Sequence, residues 1–426
     1  MPKVFAFLLD GVRFDQLSKE NTPFLYDLMG KSLVIESLKK TAPFCERTEI
    51  YTGAPGVESE NYAAFIPTNK KHKSIYRAPS KFATYCIDLI SFRLPSLIKG
   101  WFGFLLYRVG KKVRKKLQFH YIINSVEGGF AVNDIPFNLL NKLTLSEDYF
   151  KFDEDQAFEV SSIFDVLKER GINYLNLFDD LRITNTRPSR EERVLKLDRS
   201  FSENFQLYLY ADSEVDAYAH VFGIANSETQ NALLRLDNSC RALHIKFIES
   251  NPDGTTLFFS PHGMMDVSST INIEENFKKI AKKMNLNIPN DISFFLDSTM
   301  IRIWGANVTC VKDELKELDQ WKAKGKFLNL QDCTKAGIVK LENEVIWMAN
   351  PGVCIFPDFF RRYSAPKGMH GYDPHNSNMD GFAICNGNDI QPSIIKEDYL
   401  KNIRWTIEEL LGGNKDQRSW LKYEDK

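Results

Sequence analysis

Residues 3–13 read KVFAFLLDGVR, and they determine the fold class that the rest of the chain has to satisfy. Val4 to Leu9 is a short apolar run without polar alternation, which is typical of a strand buried on both faces in a parallel sheet. The run ends in Asp10-Gly11, and open α/β sheets bind their ligands at the carboxyl ends of such strands. Taken alone, this pair also fits an ordinary Asp-Gly turn after a strand.

Segments with strand and helix character alternate along the remaining chain. A long helix is predicted over 228–249, where apolar residues recur every three or four positions along one face. Further strands and helices are predicted over 33–37, 46–52, 174–178, 205–210 and 255–260. This alternation predicts an α/β fold with a largely parallel central sheet and helices on both of its faces.

Two stretches interrupt the alternation. Residues 61–149 are predicted to be an aromatic and basic cap insertion, and residues 295–344 a small accessory insertion. We expect a strand over 344–348 to return the chain to the core. The core is then assembled from residues 1–60, 150–294 and 345–426.

The whole-chain composition is that of a globular protein. Of 426 residues, 43% are hydrophobic and 26% are charged, which is enough apolar material for a large core. The formal net charge of -1 gives no sign of nucleic-acid binding, so no nucleic-acid partner is expected. Seven cysteines without a CxxC pair support neither a disulfide framework nor a cysteine zinc site. We see no signal peptide and no apolar run of about 18 residues, so we expect a cytoplasmic protein.

One stretch of the predicted cap combines large aromatic residues with a dense basic cluster. Residues 85–119 include this cluster, and no acidic residue occurs between Asp88 and Glu127. One interpretation is a helical cap that packs its aromatic residues on the core and leaves a solvated basic end. A second, compatible interpretation is an interfacial segment on an anionic membrane, which would place the protein at the inner membrane face.

Four predicted strand-to-loop junctions each contain a side chain of a type that binds metal ions. Asp216 and His220 are four positions apart, so a helix would place the carboxylate and the imidazole where they can share an ion. A single histidine is more often structural, but the joint pattern predicts a site for one or two divalent ions. Carboxylates combined with imidazoles suit zinc or manganese better than calcium. The predicted ligands are Asp10, Asp216, His220, His262 and His370.

These residues lie in motifs that resemble a known family. The types and order of the motifs resemble the alkaline phosphatase superfamily, and within it the type I phosphodiesterase/nucleotide pyrophosphatase branch. The resemblance implies an alkaline-phosphatase-like core with inserted cap segments. The motifs are LLDGVR at 8–13, Thr52-Gly53 after a helix, Asp216 to His220, Pro261-His262-Gly263-Met264 and His370-Gly371-Tyr372-Asp373.

The resemblance also implies two metal ions at the carboxyl edge of the sheet. Asp216, His220 and His370 would form the first site, and Asp10 and His262 would contribute to the second. The ions would hold phosphate oxygens, activate a nucleophile and stabilise charge on phosphorus. Catalysis in the family usually passes through a phosphorylated threonine or serine at a helix N-terminus.

Two departures from the family pattern change the expected chemistry. Pro261 occurs where the family has an aspartate, so one carboxylate of the second site is absent. Pro43 occurs at the usual position of the nucleophile, which leaves no hydroxyl there. Cys45 is our first candidate nucleophile, because a metal ion and a helix N-terminus favour the thiolate. The alternative interpretation of Cys45 is a small buried hydrophobic residue. The further candidates are Thr41 and Thr48.

Other acidic side chains would complete the site. Glu46 or Glu49 would replace the missing carboxylate, or would act as a general base for direct attack by water. Asp266 is a more distant candidate for the same role. Asp373 would orient the nearby imidazole of His370.

Two arginines lie where the sequence places a phosphate group. Arg13 follows Asp10 by three positions, and Arg47 lies on the helix predicted over 46–52. Either guanidinium would hold a phosphate oxygen. Arginines in such places more often form surface ion pairs, and that alternative stays open.

Three functions are compatible with these observations. The favoured one is a metal-dependent phosphodiesterase or phosphoryl-transfer enzyme acting on a nucleotide-, sugar- or lipid-linked phosphate ester. The second is a one-metal hydrolase or transferase of phosphate or sulfate esters. The third is a non-catalytic protein that binds a phosphorylated ligand or a partner. The retained first metal site favours an enzyme, because buried carboxylates and imidazoles are costly to keep together without an ion.

Overall fold

The computed structural model describes most of the chain. The described residues are 2–59, 62–68, 85–86, 89, 97–98, 100–121, 134–136, 138–145, 152–153, 157–178, 189–413 and 415–423, with only the backbone described for 114–121, 145 and 423. Much of the predicted cap insertion, including 69–84, lies outside the described residues.

In the described part of the chain, seven strands form a central sheet. Four neighbouring pairs of strands run parallel, and the two pairs made by Gly381–Asn386 run antiparallel. In spatial order the strands are Ser393–Tyr399, Leu33–Lys39, Gly381–Asn386, Thr255–Ser260, Val4–Leu9, Leu207–Asp212 and Tyr174–Leu177. The predicted α/β fold with a largely parallel sheet is confirmed.

The strand Val4–Leu9 lies inside this sheet. It pairs in parallel with Leu207–Asp212 on one side and with Thr255–Ser260 on the other. All its residues are buried, because both faces of the strand are covered and every position needs an apolar side chain. The prediction of a strand buried on both faces is confirmed.

Helices cover both faces of the sheet. On one face, the ring of Phe5 lies 5.6 Å from the ring of Phe247, which belongs to the helix Ser227–Ser250. On the other face, Ala6 belongs to an apolar cluster that includes buried residues of the helix Ile403–Leu410. In the described part of the chain, the remaining α-helices are Pro23–Met29, Glu46–Thr52, Gly56–Ser59, Trp101–Tyr121, Ile163–Glu169, Arg190–Ser200, Glu214–Phe222, Ile273–Lys283, Val308–Lys316, Asp319–Lys324 and Leu330–Lys335.

Short 3₁₀ helices connect several of these elements. They are Phe14–Gln16, Leu140–Lys142, Ser377–Met379, Leu400–Asn402 and Trp420–Tyr423. Among the described residues, we find no helix with the length and apolar character needed to cross a membrane.

A second sheet is antiparallel throughout. Its strands, in spatial order, are Ile292–Leu296, Met300–Gly305, Glu344–Ala349 and Gly325–Phe327. The strand expected over 344–348 is present, and it belongs to this second sheet. A fully buried apolar strand has no feature that tells which sheet it joins, because either sheet would bury both of its faces. The division of the chain into a core and two insertions stays a prediction.

Three two-stranded ladders complete the fold. They pair Val353–Ile355 with Ser269–Ile271, Gly368–Met369 with Met265–Asp266, and Phe65–Pro67 with Leu143–Leu145.

Candidate metal centre

The carboxyl ends of three neighbouring parallel strands meet at one edge of the central sheet. Asp10 directly follows Val4–Leu9, and His262 comes two residues after the strand Thr255–Ser260. Asp216 and His220 lie on the short helix Glu214–Phe222, which begins after the third strand, Leu207–Asp212. The parallel register of these strands therefore brings four predicted ligands to the same place.

A glycine allows the junction at Asp10 to lie close to the helix that contains Asp216. Gly11 has a φ of 72°, and a β-carbon at this position would lie 3.0 Å from the Cα of Asp216. Any side chain here would be both strained and too close to that helix. The glycine of the first motif is thus needed to place Asp10 beside Asp216.

The predicted ligands and Glu46 form one cluster. Within each of three overlapping groups, the ligand atoms lie within 4.8 Å of one another. The groups are Asp216 with His220 and His370, Asp10 with Asp216 and His262, and Glu46 with His262 and His370.

The closest contacts in the cluster join carboxylates to imidazoles. His262 Nε2 lies 3.1 Å from Asp10 Oδ1, and His220 Nε2 lies 3.5 Å from Asp216 Oδ2. His370 Nε2 lies 3.8 Å from the other oxygen of Asp216. The rings of His262 and His370 stack with their centroids 4.0 Å apart. The structure thus brings together all five residues that were predicted as metal ligands.

Backbone carbonyls orient two of the imidazoles. Nδ1 of His220 donates to the carbonyl of Gly368 at 2.8 Å, and Nδ1 of His262 donates to the carbonyl of Gly263 at 3.0 Å. Because Nδ1 of each ring is engaged by a carbonyl, Nε2 is the ring nitrogen that faces the cluster.

His370 does not have the orienting carboxylate that we expected. Asp373 Oδ1 instead lies 3.0 Å from Nδ1 of His375, and it also accepts from the backbone N–H of that residue. The reason is local, because a carboxylate two residues before His375 closes a short turn more easily than it reaches back to His370.

Burial controls the charges of the cluster. It raises the pKa of Asp216 to about 7, and the nearby Asp10 carboxylate adds to this increase. Burial also lowers the pKa of His220 to about 3 and lowers that of His370 well below its usual value. For Asp10, burial acts in the opposite direction to a hydrogen bond with His262, and the net effect is a lowered pKa. His220 and His370 are therefore neutral at physiological pH.

The donor set fits a divalent ion. Oδ1 of Asp216 and Nδ1 of His370 are buried, and neither has a hydrogen-bond partner among the described residues. A buried polar atom without a partner is costly, and an ion shared by Asp216 and Nε2 of His370 would satisfy the Asp216 oxygen. Neutral imidazoles and carboxylates are the ligands that zinc and manganese prefer.

Glu46 and Cys45 reach this cluster from a helix N-terminus. Cys45 precedes the helix Glu46–Thr52 in a left-handed backbone conformation, with φ of 70°. Such a conformation costs a residue with a side chain about 1–2 kcal/mol, and it is often retained at functional sites. Both Cys45 and Glu46 line the cavity that contains the metal-ligand cluster.

A buried lysine that was not predicted lies beside Glu46. Nζ of Lys40 donates to Glu46 Oε1 at 2.6 Å and to the carbonyl of Pro43 at 2.6 Å. Burial alone would raise the pKa of Glu46, but the positive charges of Lys40 and His262 outweigh burial and lower it. Glu46 is therefore an ionised carboxylate at the edge of the cluster.

The other predicted catalytic residues do not reach the cavity. Thr41 donates its hydroxyl to Glu49 Oε1 at 2.7 Å and its backbone N–H to the same oxygen at 2.8 Å. Thr48 is fully buried within its helix, and Asp266 accepts from the backbone N–H of Ile224 at 2.8 Å. In the described part of the chain, none of the four predicted candidates Thr41, Thr48, Glu49 and Asp266 lines the cavity.

The two predicted phosphate-binding arginines differ in their placement. Arg13 forms an ion pair with Asp15 and donates from Nη1 to the carbonyl of Met264 at 3.4 Å, and it does not line the cavity among the described residues. An acidic residue two positions away accounts for this outcome. Arg47 does line the cavity, and its positive charge contributes to the lowered pKa of Asp10.

The cavity has a volume of about 330 Å³ and includes residues that the sequence reasoning missed. Asp297, Ser298 and Arg361 line it from outside the central sheet. Burial raises the pKa of Asp297 to about 7. A signal for Asp297 was available, because ISFFLD at 292–297 is an apolar run that ends in an aspartate, as VFAFLLD does.

Comparison with known proteins identifies the family. The model of the type I phosphodiesterase/nucleotide pyrophosphatase family matches residues 134–347, which is half of the chain. The chain belongs to this family. Its members generally use divalent metal ions and act on phosphorylated, nucleotide-type substrates. No curated protein sequence matches the chain.

Two solved structures with a similar fold come from the same mouse protein. They are murine ectonucleotide pyrophosphatase/phosphodiesterase 5 and an inactive variant of it in complex with AMP. The variant has a TM-score of 0.65 and 14% sequence identity, with 98% of this chain and 96% of that chain covered. The other structure gives the same TM-score and identity and covers 99% of each chain. At this identity the likeness shows the fold alone.

Proposed function

We propose that the chain is a divergent, metal-dependent phosphodiesterase or phosphoryl-transfer enzyme. Its substrate would be a phosphate ester linked to a nucleotide, a sugar or a lipid. The observation that supports this proposal most strongly is the overlap of three ligand groups in one cavity. Membership of the phosphodiesterase family, whose solved relative binds AMP in an inactive form, is consistent with it.

In this proposal Asp216, His220 and His370 hold one divalent ion, zinc or manganese. Asp216 and His370 have the buried atoms that lack hydrogen-bond partners among the described residues. Bound ions would neutralise phosphate oxygens and stabilise the charge that builds up on phosphorus.

The second ion would be held by Asp10, His262 and Glu46. Glu46 takes the place of the family aspartate at the position of Pro261. It comes from a different element, yet its carboxylate lies within 4.8 Å of the ligand atoms of His262 and His370. Its lowered pKa keeps it ionised, as a metal ligand must be.

Cys45 is the nucleophile that we favour. Its sulfur would attack phosphorus, forming a sulfur–phosphorus bond while the bond to the ester oxygen breaks and the leaving alcohol takes up a proton. Water would then cleave the sulfur–phosphorus bond, releasing the phosphate product and the thiol. The cavity-lining guanidinium groups of Arg47 and Arg361 would hold the phosphate oxygens during both steps.

Direct attack by water, with Glu46 as general base, is the alternative route. We do not assign this role to Glu49, because its carboxylate accepts a hydrogen bond from Thr41 and, among the described residues, it does not line the cavity. A Cys45→Ala variant separates the two routes, because only the covalent route requires the sulfur atom.

The Lys40–Glu46 ion pair favours a second candidate function. A buried ammonium 2.6 Å from Glu46 Oε1 supplies positive charge where the second ion would otherwise supply it. In that case the protein would be a one-metal hydrolase or transferase of phosphate or sulfate esters, with the ion held by Asp216, His220 and His370.

The proposal is tested by hydrolysis of phosphate esters. Purified protein, supplied with zinc or manganese, is assayed against nucleotide diesters, sugar-linked diesters, phosphate monoesters and sulfate esters. We expect diester hydrolysis that falls at least about a thousandfold in His220→Ala and is retained in His375→Ala, an exposed histidine outside the cluster. Absence of turnover on every ester by metal-loaded protein would leave only a ligand-binding role.

A further inference from the structure

The helix Trp101–Tyr121 has two different faces. Gly103 and Gly110, two turns apart, are buried against the rest of the protein. The hydroxyl of Tyr107, on the same side, donates to Asp134 Oδ2 at 2.8 Å. These contacts attach the helix to the described part of the chain through one face only.

Tyr363 completes the attachment. The rings of Phe104 and Tyr107 lie 5.2 Å and 5.6 Å from the ring of Tyr363. The hydroxyl of Tyr363 donates to the carbonyl of Gly100 at 2.7 Å, just before the helix begins. The orientation of the helix about its own axis is therefore fixed.

The opposite face presents large apolar side chains to solvent. Trp101 is 74% exposed and Phe102 is 59% exposed. Leu105 and Val109 lie one and two helical turns after Trp101 on the same face, and both are exposed. With 100° per residue, this face occupies an arc of about 120° around the helix axis. We define the exposed face as Trp101, Phe102, Leu105, Arg108, Val109 and Lys112.

Only basic charges accompany these apolar side chains. Arg108 and Lys112 are exposed on the same face, and the helix sequence contains no aspartate or glutamate. Asp134, the acidic residue next to the helix, is buried on the attached side. Contiguous exposed apolar residues mark an interaction surface, and this one is complementary to a negatively charged, partly apolar partner.

An anionic lipid bilayer has this combination of properties. Tryptophan and phenylalanine insert at the boundary between headgroups and acyl chains, while arginine and lysine bind lipid phosphates. A helix that lies flat on the surface needs one apolar face with basic residues, which is the arrangement seen here. The contacts of Tyr107 and Tyr363 hold the helix along its other face, so the apolar and basic face stays directed to solvent.

The metal-binding cavity is close to this helix. Phe360 and Arg361 line the cavity, and Tyr363, which holds the helix, follows Arg361 by two residues. The segment that holds the helix therefore also contributes to the lining of the cavity.

We propose that the exposed face of the helix Trp101–Tyr121 docks the protein on anionic lipid bilayers. This inference goes beyond the proposed function and does not depend on it, because it concerns a surface that contains no metal ligand.

The test is co-sedimentation of the full-length protein with vesicles. Neutral vesicles of phosphatidylcholine are compared with vesicles that also contain phosphatidylglycerol. We expect the wild-type protein to bind the anionic vesicles, with binding that weakens as salt is added. The double variant Trp101→Ser with Phe102→Ser should reduce the partition coefficient by at least about tenfold. Arg108→Gln with Lys112→Gln should reduce it by about tenfold or more on anionic vesicles.

Matched controls separate this surface from general effects. Leu330 is 70% exposed on another helix, so Leu330→Ser removes an equally exposed apolar side chain elsewhere. Lys279→Gln with Lys282→Gln removes two exposed charges from the helix Ile273–Lys283. Both controls should bind anionic vesicles as the wild type does. Far-ultraviolet circular dichroism and thermal unfolding establish that each variant is folded.

Tryptophan fluorescence gives an independent readout. Insertion of Trp101 should shift the emission to shorter wavelength on anionic vesicles, and Trp101→Ser should remove this shift. Equal vesicle binding by the Trp101→Ser, Phe102→Ser variant and by Leu330→Ser would overturn the proposal. So would an absence of wild-type binding to anionic vesicles, including a result in which the same face instead joins two copies of the chain in solution.

Discussion

Replacement of Glu46 by glutamine removes one negative charge from the second metal site and changes little else in shape. Glu46 lies within 4.8 Å of the ligand atoms of His262 and His370, so its carboxylate is placed to share an ion with them. Even at about 4–5 Å, which is longer than a metal–ligand bond, a unit charge and a divalent ion attract each other by about 7 kcal/mol at an effective dielectric constant of about 20.

The ammonium of Lys40 reduces the effect of this charge. It lies 2.6 Å from Glu46 Oε1 and repels the same ion. We therefore expect Glu46→Gln to weaken the binding of the second ion by about 3 kcal/mol, which corresponds to about a hundredfold increase in its dissociation constant. The first ion, bound by Asp216, His220 and His370, should keep its affinity within a few-fold.

Isothermal titration of metal-free protein with zinc measures both affinities. Glu49→Gln is the matched control, because Glu49 is a buried carboxyl on the same helix that does not line the cavity within the described chain. It should leave both dissociation constants unchanged. If Glu46→Gln retained two ions with wild-type affinities, Glu46 would not replace the missing aspartate and the reasoning would be refuted.

Three further predictions follow from the same structure. Cys45→Ala should lower diester turnover at least about a thousandfold without changing metal content, and near wild-type turnover would show that water attacks directly. Burial raises the pKa of Glu49 to about 7, so its protonated carboxyl favours folding at low pH, and this contribution is lost as pH rises from about 4.5 to 7. The free energy of unfolding of Glu49→Gln, measured by denaturant titration, should therefore rise by up to about 3 kcal/mol relative to that of the wild type between pH 5 and pH 8. A difference that does not change with pH would contradict this. Gly371 has a φ of 84°, and a β-carbon there would lie 2.3 Å from Phe44 Cε1, so Gly371→Ala should weaken metal binding at least about tenfold. Gly171→Ala, at a φ of 63° with nothing within 4 Å, is its control and should leave metal affinity unchanged.

The class of the central sheet could be predicted from the sequence because burial on both faces leaves a direct signature. Val4–Leu9 is apolar at all its positions and fully buried, and an apolar run this short favours a strand over a helix. The same uniformity made Glu344–Ala349 ambiguous, since its partner strands are determined by tertiary contacts that no local pattern reports.

In the candidate site, the residues at strand ends could be predicted from the sequence, and the residues from distant loops could not. Asp10 and His262 could be placed together because parallel strands end at one edge of the sheet. Arg361 comes from a loop without regular structure, and Lys40 reaches the site only because the chain turns after Leu33–Lys39. For Arg13 the sequence left two alternatives open, and the ion pair with its neighbour Asp15 is the one that the structure contains.

The metal content per chain, measured on protein purified without a chelator or a metal-affinity tag, is the most direct test of the metal-dependent mechanism. We expect about two equivalents in the wild type, with one lost in His220→Ala and the other lost in His262→Ala. One equivalent, lost only in His220→Ala, would restrict the protein to the one-metal mechanism in which Lys40 supplies the second positive charge. Protein without any bound metal, and without affinity for added zinc or manganese, would contradict the proposed enzyme.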